Sequence, residues 1–297
     1  MNNQSTDLDK NNFLQLNKFK EKTFVIKYGG SIMNDEKAQE AFIDDLLLLT
    51  SKGIKVVIIH GGGPEISKWL KKTGIETKFI KGLRVTDKST MEIVEMVLSG
   101  NVNKKLSSRL SIKGLTAIGL SGKDSKLIKA KKKYVYDGNN KLDIGFVGEV
   151  ECVNEKLLLK LLENNIIPVI SPVGCDDNGN SYNINADYAA SFISGALKAE
   201  KLLIMTDIDG VYIDINDPSS ILKSITIDEI KEYIDSGIIT GGMIPKLECC
   251  IDALNKGTNS VQLIDGRKEH NLLLNITTDS GTKIIAKRRD NLCQKIV

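Results

Sequence analysis

Histidine is scarce in this chain, present only at His60 and His270, so a histidine-based metal site is not expected. Cysteine does not make up for it. The five thiols, at 152, 175, 249, 250 and 293, are odd in number and form no Cys-x-x-Cys pair, which argues for reduced cysteines rather than a disulfide framework or a zinc site. Net charge is also lacking: Lys+Arg 41 against Asp+Glu 38 leaves +3, too balanced for a partner chosen by bulk charge, and nucleic acid is disfavoured. No apolar run approaches the ~20 residues that span a bilayer, and the polar N-terminus does not read as a signal peptide. A cytoplasmic protein without a membrane partner is expected. Two common phosphate fingerprints fail as well. From Gly61 the Gly-x-Gly-x-x-Gly pattern would need glycine where Ile66 stands; around Gly122-Lys123 the P-loop would need glycine at Ala117 and Ser or Thr at Asp124.

What the chain does have is alternation. At 297 residues, against roughly 150 per domain, two lobes are expected. The stretch Phe24-Val-Ile-Lys-Tyr-Gly-Gly-Ser31 sets the pattern: β-branched and aromatic residues form a buried strand, Lys27 stands at its mouth, and Gly29 and Gly30 let backbone approach an anion. Ser31 is placed to cap a following helix. Helical spacing over 37–50 ends at Gly53, and the apolar run over 54–59 is a second strand that feeds His60-Gly-Gly-Gly-Pro64. Strand, helix and strand with short links predict an α/β fold, an open, mostly parallel central sheet with helices on both faces.

The series continues with one or two helices over 89–110, a strand over 116–120 and a polar loop over 121–125. Residues 129–150 interrupt it, reading as a hairpin around Asp137-Gly-Asn-Asn140 laid over one face. A helix over 157–165, a strand over 166–170 and a small-residue helix over 188–199 follow. Residues 202–205 then open a second series with the loop Thr206-Asp-Ile-Asp-Gly210, a helix over 227–236, the stretch Thr240-Gly-Gly-Met-Ile-Pro-Lys246 leading into a helix, and closing strands over 261–264 and 283–286. The expected divisions are an extension at 1–22, a lobe at 23–196 and a lobe at 197–297, joined by the helix from Tyr188. In the extension Leu8, Phe13, Leu16 and Phe19 anchor either a frayed tail or an amphipathic helix that needs a partner.

Three glycine loops, Gly29-Gly30, Gly61-Gly62-Gly63 and Gly241-Gly242, follow expected strands or precede expected helices. In an open α/β sheet the ligand crevice lies at the carboxyl ends of the strands, and free amides at helix N-termini suit phosphate or carboxylate. Lys27 and Lys246 each stand beside such a loop, one per lobe. Phosphoryl transfer is mostly positioning and charge neutralisation, which two lysines and Mg²⁺ can supply. Asp187 and Asp207 either orient the lysines or stand behind a metal, or are ordinary turn and cap carboxylates.

Seven motifs then occur in order between about 23 and 285: Lys-Tyr-Gly-Gly-Ser (27–31), His-Gly-Gly-Gly-Pro (60–64), Gly-Leu-Arg-Val-Thr (82–86), Ser-Gly-Lys-Asp (121–124), Gly-Phe-Val-Gly (145–148), Tyr-Asn-Ile-Asn-Ala-Asp (182–187) and Thr-Gly-Gly-Met-Ile-Pro-Lys (240–246). Together they resemble the acetylglutamate kinases of the amino-acid kinase family. The resemblance implies that family's fold and ATP-dependent phosphorylation of the γ-carboxylate of N-acetyl-L-glutamate, in arginine biosynthesis, with ATP and Mg²⁺. Carried over by position, it implies that Lys27 and Lys246 stabilise the transition state and that Asp187 holds them. Gly62 and Gly63 would give amides to the transferring phosphate and the substrate, and Arg84 and Asn183 would bind the acylated glutamate. Gly29, Gly30, Thr206, Asp207, Gly210, Gly242 and Met243 would border the nucleotide, making 23–196 the acyl-glutamate lobe and 197–297 the nucleotide lobe.

The chemistry agrees. A γ-carboxylate, with an ordinary pKa of about 4.3, is ionised at neutral pH and needs no general base. What must be overcome is its repulsion from a polyphosphate, and an arginine fork suits the substrate's α-carboxylate. Glutamate 5-kinase, aspartokinase, carbamate kinase and UMP kinase share the fold; Arg84 and Asn183 favour the acyl-glutamate reading. A non-catalytic amino-acid-binding regulator is the alternative from another class, against which both lysines, Asp187 and the three loops argue. Arginine-inhibited relatives resemble hexamers linked by N-terminal helices. The length before Thr23 therefore implies a homo-oligomer, dimer or hexamer, with the hexamer expected, and arginine as feedback inhibitor near Glu269 and His270. The stretch Thr278-Asp-Ser-Gly-Thr282 departs from the family's Gly-x-Gly-Thr by lacking its first glycine.

Overall fold

Strands β1 (Thr23–Tyr28) and β2 (Lys55–His60) are nearly continuous apolar runs because both of their faces are covered. In this computed structural model, which describes residues 15–30, 32–278 and 280–286, their side chains alternate between two cores. Phe24, Ile26, Tyr28, Val56 and Ile58 face helix α1 (Glu36–Ser51); Val25, Val57 and Ile59 face the opposite layer, and with them Lys27. Ser31 lies outside the described residues, as do Leu8, Phe13 and Cys293. The carboxylate of Asp35 caps α1, accepting from the Ala38 amide at 3.0 Å.

After β2 come α2 (Gly63–Lys72) and a short hairpin of β3 (Phe79–Ile80) and β4 (Leu83–Arg84). The helical stretch expected over 89–110 is one rod. Its first part, α3 (Lys88–Glu95), passes through a π-helical turn at Met96–Val102 into α4 (Asn103–Ile112). Next is β5 (Ala117–Ser121), then the expected hairpin of β6 (Ile128–Asp137) and β7 (Asn140–Val153). Helix α5 (Glu155–Glu163) leads to β8 (Ile167–Ser171), β9 (Val173–Cys175) and β10 (Ser181–Ile184). The hairpin does not simply lie on a face: β10, β7, β6 and β9 close a small barrel. The remainder is α6 (Ala186–Ala196), β11 (Lys201–Thr206), β12 (Ser224–Thr226), α7 (Ile227–Asp235), α8 (Met243–Asn255), β13 (Val261–Asp265), α9 (Asn271–Thr278) and β14 (Thr282–Ile285).

One eight-stranded sheet runs β12-β14-β13-β11-β1-β2-β8-β5, parallel throughout except between β13 and β14. Strands from the first part of the chain fill one half and strands from the second part fill the other. They meet where β1 pairs with β11, Lys27 beside Ile204. Helix α6 packs across this seam on β1, β2 and β11 and against α8.

One expectation is corrected at the N-terminus. Leu16 and Phe19 are buried in the chain's own core, Phe19 edge-on to Phe24 with ring centroids 5.1 Å apart, so neither is available to a second copy. Cys152, Cys175, Cys249 and Cys250 are free thiols. Among the described residues no helix is long and apolar enough to cross a membrane.

Candidate active site

Period-two alternation turns Lys27 toward the layer that α6 occupies, and Asn185 decides what it meets there. The Asn185 side-chain oxygen caps α6, accepting from the amides of Asp187 at 2.8 Å and Tyr188 at 3.3 Å. Asp187 thereby stands in the first helical turn. Its carboxylate lies 3.0 Å from Lys27 Nζ and 3.4 Å from Lys246 Nζ, the latter reaching in from the first turn of α8. Burial pushes the Asp187 carboxyl up, but the charges of Lys27 and Lys246 outweigh it and hold the group below the usual carboxylate range. Asp187 is thus ionised, and two ammonium groups on one carboxylate leave net positive charge at the carboxyl end of β1. The three catalytic candidates are brought together.

Beside them the loop after β2 supplies amides. Gly61 N–H bonds to the Tyr28 carbonyl at 2.9 Å, Gly62 takes the N-cap position of α2, and no side chain caps that helix. Pro64 has no amide and Ile66 N–H bonds to the Gly62 carbonyl; the Gly63 amide of the first turn is left for a ligand. A β-carbon on Gly62 would meet the end of the Leu98 side chain, so the loop and that leucine are closely packed. The loop floors a cleft of about 200 Å³ that Phe79, Arg84, Val147 and Asn183 also line.

Arg84 is buried at 7% exposure, and burial lowers its pKa. Its guanidinium donates to the Gly63 carbonyl at 3.2 Å, Ser67 Oγ at 2.9 Å and Thr77 Oγ1 at 3.4 Å, and stacks 4.7 Å over the Phe79 ring. Asn183 donates to Thr86 Oγ1 at 3.3 Å, and that hydroxyl donates to the Arg84 carbonyl at 2.7 Å. One threonine therefore ties the two substrate-binding candidates together. Ser67 and Thr86 carry no signal as positioning residues in the sequence; Thr86 stands within a family motif and Ser67 one turn after Gly63.

The nucleotide candidates are more scattered. Gly29 and Gly30 follow β1, with Gly30 against Pro64. Thr206 ends β11, buried, its hydroxyl 3.1 Å from Asp207 Oδ1. Gly242 is exposed ahead of α8, and Met243 packs partly on the core. Gly210 has a different reason for being glycine: a β-carbon would strike the Thr282 hydroxyl, which accepts from Val211 N at 2.8 Å. Glu269 and His270 stand apart from the cleft, between β13 and α9. Glu269 is exposed, whereas His270 Nδ1 lies 2.7 Å from the buried carboxylate of Asp45 in α1.

Among the described residues no group of three or more His, Cys, Asp and Glu is placed to hold a metal. A Mg²⁺ ion would then be held chiefly by the phosphate oxygens it arrives with, the usual habit of this ion.

Residues 22–265 match the amino acid kinase family. The acetylglutamate kinase of Clostridium acetobutylicum is 57% identical over 283 residues, covering 95% of this chain and 96% of that one. Among solved structures, the N-acetylglutamate synthase of Neisseria gonorrhoeae, complexed with coenzyme A and N-acetyl-glutamate, superposes with a TM-score of 0.81 at 21% identity, over 95% of this chain and 63% of that longer one. Carbamate kinase from Giardia lamblia bound to AMP-PNP gives 0.64 at 18% identity, over 90% and 99%. The two structures share the fold, and the sequence relationship goes further: the chain belongs to the amino acid kinase family, among its acetylglutamate kinases.

Proposed function

We propose that this chain transfers the γ-phosphoryl group of ATP to the γ-carboxylate of N-acetyl-L-glutamate, forming an acyl phosphate in arginine biosynthesis. The observation that carries the reading is the Lys27–Asp187–Lys246 group opening beside a small cleft that holds a buried arginine and an asparagine amide. In it, Arg84 takes the α-carboxylate, Asn183 takes the acylated amino group, and the γ-carboxylate lies over the amides of Gly62 and Gly63. Lys27 and Lys246 neutralise charge on the transferring group from either side, and Asp187 keeps them there. Mg²⁺ would neutralise the polyphosphate. Gly29, Gly30, Thr206, Asp207, Gly242 and Met243 border the nucleotide. The attacking carboxylate needs no base, and His60, buried with both ring nitrogens bonded inside the fold, supplies none.

Coupled ADP release with acetylglutamate, glutamate, aspartate and carbamate tests the reading. Turnover should depend on acetylglutamate; preference for another acceptor would overturn the substrate assignment. Near-native turnover in both Lys27→Ala and Lys246→Ala would overturn the site.

We further infer a homo-oligomer, dimer or hexamer, inhibited by arginine near Glu269, whose exposed carboxylate can pair with a guanidinium, and His270. Sedimentation across an arginine titration of activity tests both: a monomer indifferent to arginine would refute them.

A further inference from the structure

The buried ring of His60 is committed on both sides. Its Nδ1 lies 2.7 Å from the carbonyl oxygen of Gly61, which can only accept, and its Nε2 lies 3.1 Å from Asn103 Nδ2, which can only donate. The ring is therefore neutral, with its proton on Nδ1. Asn103 Nδ2 also faces two main-chain carbonyls, Val169 at 2.8 Å in β8 and Leu120 at 3.2 Å in β5, so its two N–H groups are shared among three acceptors. The Gly61 carbonyl thus sets the tautomer of His60, and Asn103 ties the ring to the neighbouring strands β8 and β5.

The consequence lies one bond further on. There are no cis peptides among the described residues, so the N–H of the Gly61–Gly62 peptide points opposite to its carbonyl. With the carbonyl turned inward onto His60, the Gly62 amide is turned outward, into the cleft that Gly61, Gly62 and Gly63 floor. A peptide between two glycines has no side chain of its own to hold it, and rotated the other way it would aim a carbonyl oxygen at an incoming phosphate. The π-helical turn at Met96–Val102 serves the same loop from behind: Leu98 within it closes on Gly62, and Asn103 directly follows it.

We propose that His60 and Asn103 are positioning residues that hold the Gly61–Gly62 peptide with its N–H toward the transferring phosphoryl group. The proposal rests on reading the cleft as the phosphoryl-transfer site. His60→Gln keeps an acceptor for Asn103 but loses the donor to Gly61; His60→Asn can restore a donor near the Nδ1 position.

The test has two arms. With only two histidines, the imidazole ¹⁵N spectrum of the full chain, assigned through His270→Gln, reads the tautomer of His60 directly. A neutral ring carrying its proton on Nδ1 is expected, and a proton on Nε2 overturns the proposal whether or not any variant folds. Complete loss of one directed donor costs on the order of 100–1000-fold in kcat, so His60→Gln, which loosens the peptide without deleting it, should lower kcat by up to about that much while both KM values change less than kcat; His60→Asn should recover most of that loss. Equal loss in the two variants at equal melting temperatures, or wild-type kcat in His60→Gln, overturns it. Wild-type turnover is measured first: its absence refutes the function itself, and this role with it.

Discussion

Lys27 and Asp187 face each other at 3.0 Å with only 12% and 13% of their side chains exposed, one from the central strand and one from the first turn of the helix laid across it. Asp187→Asn would keep the shape and leave two ammonium groups without a counter-charge. Removing one partner of a buried pair costs about 3–5 kcal/mol, and the lower end applies to this partly hydrated site. Turnover should fall by on the order of 100-fold or more, because the lysines lose their shared anchor. Urea unfolding and ADP release measure the two effects; an Asn variant with native turnover would separate Asp187 from the reaction.

Arg84 and Ser67 should behave differently from the lysines. Arg84 is held by Gly63, Ser67 and Thr77 before any ligand arrives. Arg84→Ala removes a charge-assisted contact of about 1.5–3 kcal/mol, so the acetylglutamate KM should rise roughly 10–100-fold with a smaller change in kcat and none in the ATP KM. Ser67→Ala should move the same constant by a few-fold. Loss of kcat without change in KM would show that Arg84 acts elsewhere.

Gly145 has φ of 79°, and a β-carbon there would strike the Thr86 carbonyl, which accepts from Phe146 N at 2.6 Å. Gly145→Ala should destabilise the chain by about 2–3 kcal/mol and, because Thr86 holds Asn183, raise the acetylglutamate KM. Gly138, with φ of 57° in open space, is the control and should cost about 1 kcal/mol as alanine. Equal losses at both positions would exclude the clash as the cause.

Burial lowers the His60 pKa from 6.5 to about 4. The unfolded chain then binds a proton in that range and the folded chain does not, so stability is fully present above pH 6.5 and is lost as pH falls toward 4, by roughly 3 kcal/mol in all. His270 works in the opposite sense: its hydrogen bond to Asp45 raises its pKa, and the stability it adds is present at low pH and lost as pH rises through the raised value. Urea midpoints at pH 7.5 and 5 should diverge more for the wild type than for His60→Asn. Parallel slopes would mean that His60 is not a buried neutral ring.

Much of the fold is legible in the chain because it depends on local periods. Apolar runs at 54–59 and 202–205 had to be strands covered on both faces, and the glycines after β1 and β2 had to end those strands where a ligand crevice forms. Lys27, Lys246 and Asp187 could be named through family motifs, since the residue types at those positions suit the chemistry. Their meeting could not be derived from spacing alone: it requires β11 to pair with β1, which places α6 and α8 over the same seam. Tertiary structure also decided that Leu16 and Phe19 belong to the chain's own core, that Gly210 is glycine for the sake of Thr282, and that Ser67, Thr86 and Asn103 hold the residues the motifs point to. The physical reason is the same each time. A strand or a helix is determined by neighbours two to four residues away, whereas a hydrogen bond such as that from Asn103 to His60 joins segments that only strand order and helix packing bring together.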